Sequence, residues 1–155
     1  RFGVRMFLNK HADQVTYYGM GPQESYCDKH QGAGHGWYQA SVEEMHEDYI
    51  RPQENGSHYD CDYVEVADGQ AGLAATGRAF SVNVSPYTQE ELERAAHNYE
   101  LTEADSTILC LDYALNGIGS NSCGPEVAEP YRLDGENIDF RFTLVPFNRE
   151  RRWKD

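Results

Sequence analysis

Apolar side chains recur at every second position near both ends of the chain, and this alternation restricts the fold more than any other feature. A period of two places alternate side chains on the same face of a strand, so it is typical of β-strands with one buried face. The chain is therefore predicted to open and close with β-strands. The alternating residues are Phe2, Val4, Met6, Leu8, Ile138, Phe140, Phe142 and Leu144.

Most of the intervening segments also have β-patterns. Strands are predicted at residues 15–18, 37–42, 58–66, 78–85, 107–113 and 131–133, and the apolar run 107–113 is expected to be buried on both faces. In the run 58–66, Tyr59, Cys61 and Tyr63 are expected to share a face. One helix is predicted, because Thr88 and Glu91 form a capping box. This pattern predicts an all-β fold, a two-sheet antiparallel β-sandwich with one short helix.

The charge of the chain narrows its range of partners. Its 155 residues include 13 Lys and Arg but 26 Asp and Glu, so the formal net charge is −13. Such a surface repels phosphate backbones and anionic lipids, which argues against nucleic acid and membrane partners. The length predicts one domain, residues 1–148, followed by a charged tail, residues 149–155.

Four cysteines are too few for a disulfide-stabilised secreted scaffold of this size, so free thiols and a cytoplasmic location are predicted. The chain begins at Arg1 inside a strand-like segment. It is therefore expected to be part of a longer polypeptide.

Residues 117–125, Gly-Ile-Gly-Ser-Asn-Ser-Cys-Gly-Pro, form the longest run of small, turn-forming residues. Three glycines and a proline give this run no apolar face, so it is predicted to be a loop. Functional residues are over-represented on loops, and the cysteine in this one makes it a candidate site. No neighbouring base in the sequence would activate Cys123 as a nucleophile.

The residues alone suggest three other kinds of candidate site. Cys27 and His30 form half of a zinc motif, with His35, Asp28 and His46 nearby, but a second half is missing, so no metal site is predicted. Asp112 lies in an apolar run and is interpreted as a hydrogen-bonded residue that organises the following loop. The tyrosines, with Trp37 and Trp153, are candidates for a sugar-stacking platform.

Several stretches, taken in order, resemble the large β-galactosidases of glycoside hydrolase family 2. Residues 19–29 match their motif G-x-G-P-x-E-x-Y-x-D-[RK], and residues 49–56 resemble their Y-x-x-P-Q-E-N-G segment. Residues 81–92 are similar to a third conserved stretch, and residues 111–119 resemble their L-D-x-x-x-x-G-[VIL]-G loop. These matches span nearly the whole chain.

The resemblance implies the C-terminal small-chain region of such an enzyme, part of a supersandwich domain like galactose mutarotase. In this family the catalytic glutamates lie in a separate barrel domain. No catalytic residue and no metal ligand is therefore expected in this chain. Any magnesium and sodium ions are expected in other domains, and the full-length enzyme is expected to be a homo-oligomer.

The resemblance also gives the loop a role. In some members the matching loop reaches the active site, where a tryptophan stacks on the sugar of the leaving group. The expected substrate-site residues are Gly119, Ser120, Asn121, Ser122 and Cys123, with Cys123 at the tryptophan position and Asn121 and Ser122 replacing an acidic pair. The chain is thus expected to be an accessory domain lining the leaving-group side of a β-galactoside site. Two alternatives are a stand-alone carbohydrate-binding or mutarotase-like module, and a structural domain for oligomer packing.

Overall fold

The computed structural model describes residues 1–118, 126–135 and 137–149. Seven strands in this part of the chain form one open, antiparallel sheet in the order β1-β6-β5-β4-β2-β3, with β7 pairing β5. The strands are β1 (Phe2–Asn9), β2 (Gln14–Gly21), β3 (Gly34–Ser41), β4 (Ser57–Ala67), β5 (Ala71–Ser85), β6 (Ser106–Ala114) and β7 (Phe142–Asn148). The predicted all-β antiparallel class is confirmed. The strands of the described residues make a single sheet, and a facing second sheet is not among them.

One short α-helix, α1 (Gln89–Arg94), follows β5. The hydroxyl of Thr88 accepts a hydrogen bond from the Glu91 amide at 3.2 Å, which confirms the predicted capping box. Two 3₁₀ turns, Asn98–Glu100 and Glu129–Tyr131, complete the regular structure of the described residues. Each of these helices is too short to span the apolar layer of a membrane.

The strand β5 is the centre of the sheet. It is 15 residues long and pairs with β4 along one side. On the other side, residues 71–77 pair with β7, whereas residues 81–85 pair with β6. The two neighbours therefore separate at Arg78 and Ala79, and this point is called the fork below. Ala79 has a φ of 51°, a left-handed conformation that is uncommon for a residue with a side chain.

The hydrophobic core lies on one face of the sheet. The predicted burial of residues 107–113 on both faces is confirmed for positions 107–112, while Tyr113 is exposed. Val42 and Met45, from the connection between β3 and β4, join the core cluster. The largest fully buried apolar side chains of this cluster are Val15, Tyr17, Val64, Val66, Phe80, Val82, Val84, Leu109 and Leu111.

Three sequence expectations need correction. Residues 131–133 form no strand, because Pro130 lies within the 3₁₀ turn that ends at Tyr131. Residues 138–141 precede β7 and are not part of it. Tyr63 does not share the face of Cys61. The β4–β5 register shifts on both sides of Cys61, and the Cys61 side chain lies in the core.

Candidate functional site

The predicted substrate-site residues Gly119, Ser120, Asn121, Ser122 and Cys123 lie outside the described residues. The structure does describe the segment that carries them, residues 115–118, which follows β6. The part of the candidate site that the structure describes is therefore the base of this loop. The base comprises Leu115, Asn116, Gly117 and Ile118.

Hydrogen bonds from two distant segments fix the loop base. The amide of Ile118 donates to the Asp28 carboxylate at 3.2 Å. The amide of Gly117 donates to the carbonyl of Tyr131 at 2.9 Å, and the Asn116 side chain accepts from the amide of Leu133 at 2.7 Å. Three consecutive residues are thus held from both sides, which sets the direction in which the loop leaves the sheet.

Gly117 is required by the close approach of these segments. A Cβ atom at this position would overlap the Asp28 carboxylate. The neighbouring Cys27 thiol donates to the carbonyl of Leu115 at 3.6 Å, so it too contacts the loop base. Burial raises the pKa of Cys27, and the Asp28 charge adds to the rise, so this thiol is a poor nucleophile.

The position of Asp28 depends on the turn before it. Tyr26 and Lys29 exchange two backbone hydrogen bonds, at 2.9 and 3.0 Å, so Asp28 lies within a closed turn. The Ser25 hydroxyl donates to the Met20 carbonyl at 3.1 Å and accepts from the Tyr59 amide at 2.9 Å. The turn is thereby attached to β2 and β4, the strands that flank it.

Glu24 joins this turn to the second matched segment, residues 49–56. One carboxylate oxygen accepts from the Lys29 ammonium and the Tyr49 hydroxyl, and the other accepts from the Gly56 amide at 2.8 Å. Burial alone would raise the pKa of Glu24. The hydrogen bonds from Lys29, Tyr49 and Gly56 outweigh burial and hold the pKa below its usual value.

The second segment is fixed in turn to the central sheet. Gly56 has a φ of 68°, and a Cβ there would overlap the carbonyl of Met45, so glycine is required. The Asn55 side-chain oxygen accepts from the Glu47 amide at 3.0 Å, and the Asn55 backbone carbonyl accepts from the Asn83 side-chain amide at 2.6 Å. The two matched segments therefore form one framework behind the loop base.

Asp112, which precedes the loop on β6, is buried and pairs with Arg1. The guanidinium Nε lies 3.1 Å from the Asp112 carboxylate, and Arg1 also donates two hydrogen bonds to Glu54, at 2.7 and 3.1 Å. Burial raises the pKa of Asp112 to about 7, with Arg1 opposing the rise and Glu54 adding to it. Through Arg1, Asp112 links β6 to β1 and to the second segment, while its predicted role in organising the following loop stays a prediction.

The residues of the possible zinc motif are used elsewhere. Cys27 contacts Leu115, the His30 ring lies 3.0 Å from the Tyr26 carbonyl, and the His35 ring lies 2.9 Å from the Asp60 carbonyl. In the part of the chain that the structure describes, no group of three or more His, Cys, Asp or Glu side chains could hold a metal ion.

Part of the predicted aromatic platform exists as a row across three strands. Tyr18 is the register partner of both Trp37 and Tyr63. The ring centroid of Trp37 lies 5.2 Å from that of Tyr18 and 5.3 Å from that of Tyr63. Trp37 is 63% exposed, and the row lies on the face opposite the core. Trp153 lies outside the described residues.

The described residues form a groove at the fork of the sheet, with a volume of about 830 Å³. Its walls include Tyr59, Arg78, Tyr113, Phe140 and Arg141. Cys27, Leu115 and Tyr131 also line it, so the groove adjoins the loop base. The sequence pattern gave no indication of this groove, because its walls come from six separate stretches of the chain.

The family model for the β-galactosidase small chain matches residues 1–144. The chain belongs to the β-galactosidase small-chain family. It is 48% identical over 145 residues to the β-galactosidase of Actinobacillus pleuropneumoniae, covering 94% of this chain and 14% of that protein.

Two further relatives extend the comparison. The chain is 43% identical over 145 residues to the β-galactosidase of Staphylococcus xylosus, covering 93% of this chain and 15% of that protein. It is 33% identical over 147 residues to the β-galactosidase of Kluyveromyces lactis, covering 94% of this chain and 14% of that protein. The chain thus spans about one seventh of the length of the curated relatives that it matches.

Proposed function

We propose that this chain is an accessory domain of a β-galactosidase, an enzyme that hydrolyses terminal β-D-galactosides such as lactose. Membership of the small-chain family carries this proposal. The small share of each relative that the chain covers supports a role beside other domains of the same polypeptide. The chain by itself is proposed to be inactive, and a chromogenic β-galactoside is the probe: turnover by the isolated chain would contradict this.

The loop that contains Gly119, Ser120, Asn121, Ser122 and Cys123 is proposed to line the leaving-group side of the active site. The support is its base, which is held by hydrogen bonds to Asp28, Tyr131 and Leu133. A fixed base restricts where a loop can reach, and such restriction lowers the entropy lost on substrate binding. A thiol at Cys123 offers less stacking surface than an indole, so weak contact with the leaving group is proposed.

Contact with other domains is supported by exposed apolar side chains. Ile50 is 96% exposed and Phe7 is 58% exposed. Packing another domain on such side chains would remove their apolar surface from water. We propose that they pack against other domains or subunits of a homo-oligomer, with magnesium and sodium ions held outside this chain. The free thiols of Cys27, Cys61 and Cys110 support a reducing, cytoplasmic location.

The kinetic test uses the whole polypeptide that carries residues 1–155. Asp28→Ala removes the acceptor for the Ile118 amide, and Asp28→Asn keeps an oxygen in the same place. Under the proposal Asp28→Ala raises KM for lactose about threefold to tenfold, as expected for one lost charge-assisted hydrogen bond. Asp28→Asn should recover most of the loss. Deleting residues 119–123 without any change in KM or kcat would favour a purely structural domain.

Carbohydrate binding by the isolated module is a second candidate function, favoured by the exposed row of Trp37, Tyr18 and Tyr63. Apolar sugar faces pack on aromatic rings of this kind. Calorimetry with galactose and lactose would show binding by the isolated chain that Trp37→Ala abolishes. If the isolated chain shows no binding at millimolar sugar, this candidate is wrong.

A further inference from the structure

We propose that the groove at the fork binds the saccharide part of an oligosaccharide leaving group, beyond the first sugar ring. This inference rests on the proposed function, because the role of the adjoining loop supplies the class of ligand. The location, shape and chemistry of the groove carry the rest.

The location follows from the sheet. Residues 78–80 of β5 pair with neither β6 nor β7, so the sheet has a gap there. Residues 130–133 close one side of this gap. The volume of about 830 Å³ falls within the range of roughly 300–1,000 Å³ usual for small-molecule sites. The carbonyls of Tyr131 and Leu115 accept hydrogen bonds at the loop base, and both residues also line the groove. A ligand in contact with the loop therefore lies next to the groove.

The aromatic wall suits a sugar better than a flat ring. Tyr113 is 42% exposed and meets Phe140 edge-on, with ring centroids 6.0 Å apart and planes at 67°. Phe140 and Phe142 are tilted by 48°. Rings at such angles form a curved apolar wall and leave no parallel slot for a nucleobase. A puckered pyranose ring has an apolar face that packs on such a wall.

Two of the three arginines that line the groove are paired, Arg141 with Asp139 and Arg132 with Glu126. Arg141 donates two hydrogen bonds to Asp139, at 2.8 and 2.7 Å, so the pair offers a hydroxyl both donors and an acceptor. With these two guanidinium charges compensated, the groove offers a sugar hydroxyl hydrogen-bond donors and acceptors and little net charge for an anion. Arg78, at the fork, lines the groove, is exposed and has no ion-pair partner among the described residues, so it can donate hydrogen bonds to a ligand hydroxyl.

The test compares two substrates of the whole polypeptide that carries this chain. Lactose releases glucose, a single ring, whereas β-galactosyl-lactose releases a disaccharide that is long enough to enter the groove. Under the proposal, Arg78→Ala and Tyr113→Ala each raise the ratio of KM for β-galactosyl-lactose to KM for lactose about threefold to tenfold. Tyr99→Ala, at an exposed ring outside the groove, is the matched control and leaves the ratio unchanged.

A direct binding measurement separates this proposal from the proposed function. Cellobiose has no terminal galactose and serves as a disaccharide probe in saturation-transfer NMR. Transfer to cellobiose that Tyr113→Ala and Arg78→Ala weaken, in variants with the wild-type Tm, supports the groove. An unchanged KM ratio and unchanged cellobiose transfer in both folded variants overturn it. If that result comes with a changed KM after deletion of residues 119–123, the groove is rejected while the role of the loop stands.

Discussion

Replacing Glu24 by alanine should separate the two matched segments and destabilise the fold. The substitution leaves the buried Gly56 amide without its acceptor, which costs about 1–3 kcal/mol. It also breaks the ion pair with Lys29. Because the Lys29 side chain is 47% exposed, solvent screening limits this contribution to at most about 1 kcal/mol. The expected loss is therefore about 1–4 kcal/mol.

For a domain of this size, each kcal/mol lowers Tm by about 2–4 °C. A loss of about 3 kcal/mol thus corresponds to a decrease of roughly 6–12 °C. Urea unfolding of the chain, followed by tryptophan fluorescence, measures the free energy directly. Glu24→Gln is the matched control, because its amide oxygen can still accept from Gly56, and it should lose only about 1 kcal/mol.

The pH dependence supplies a second check on Glu24. Its pKa is lowered in the folded chain, so its stabilisation is fully present above the unfolded value of 4.5 and is lost as pH falls through the folded pKa. The stability difference between wild type and Glu24→Gln should therefore shrink as pH falls below the unfolded value of 4.5. Equal destabilisation by alanine and glutamine, or a loss below about 1 kcal/mol for alanine, would refute the reasoning.

Three further substitutions test other parts of the framework. Gly117→Ala should cost about 1–3 kcal/mol, because its Cβ overlaps the Asp28 carboxylate, whereas Gly135→Ala, with only one ordinary contact, should stay within about 0.5 kcal/mol in the same urea assay. The raised pKa of Asp112 makes the free energy of unfolding fall as pH rises from about 4 to 7. Asp112→Asn should therefore gain stability relative to wild type across this range, and parallel plots of the free energy of unfolding against pH would contradict this. Thr88→Ala should lose about 1 kcal/mol through the uncapped Glu91 amide, and Thr88→Ser should restore it, as read from Tm.

The local parts of the fold were predictable from sequence. Alternation located β1 and β4, a β-rich run located β2 and a continuous apolar run located β6, each to within a few residues, and the Thr88 capping box located α1. The first half of β5 was missed because residues 71–77 are mostly alanine and glycine, which have low β-propensity. Pairing with β4 and β7 on both sides imposes the strand there, against that local preference.

The site was predictable only in part. The matched motifs marked Glu24, Asp28 and Gly117 as residues of interest, but their partners could not be inferred. Asp28 binds an amide 90 positions away in sequence, and no local spacing encodes such a contact. Strand β1 shows the same limit: Met6 and Leu8 reach the core, whereas Phe2 and Val4 of the same alternating face are exposed.

The pairing of β1 with β6 has a consequence for synthesis on the ribosome. The strand β1 is synthesised before its partner, Ser106–Ala114, which follows roughly 100 residues later, and such non-local pairing is slow to form. Until then the edge of β1 that β6 will cover is open to pairing with other chains, a known route to aggregation. Arg1 directly precedes this strand and Arg5 lies on it, and charged side chains at a strand edge oppose such pairing. In the finished sheet the two arginines form the ion pairs with Asp112 and Glu90 that attach the strand.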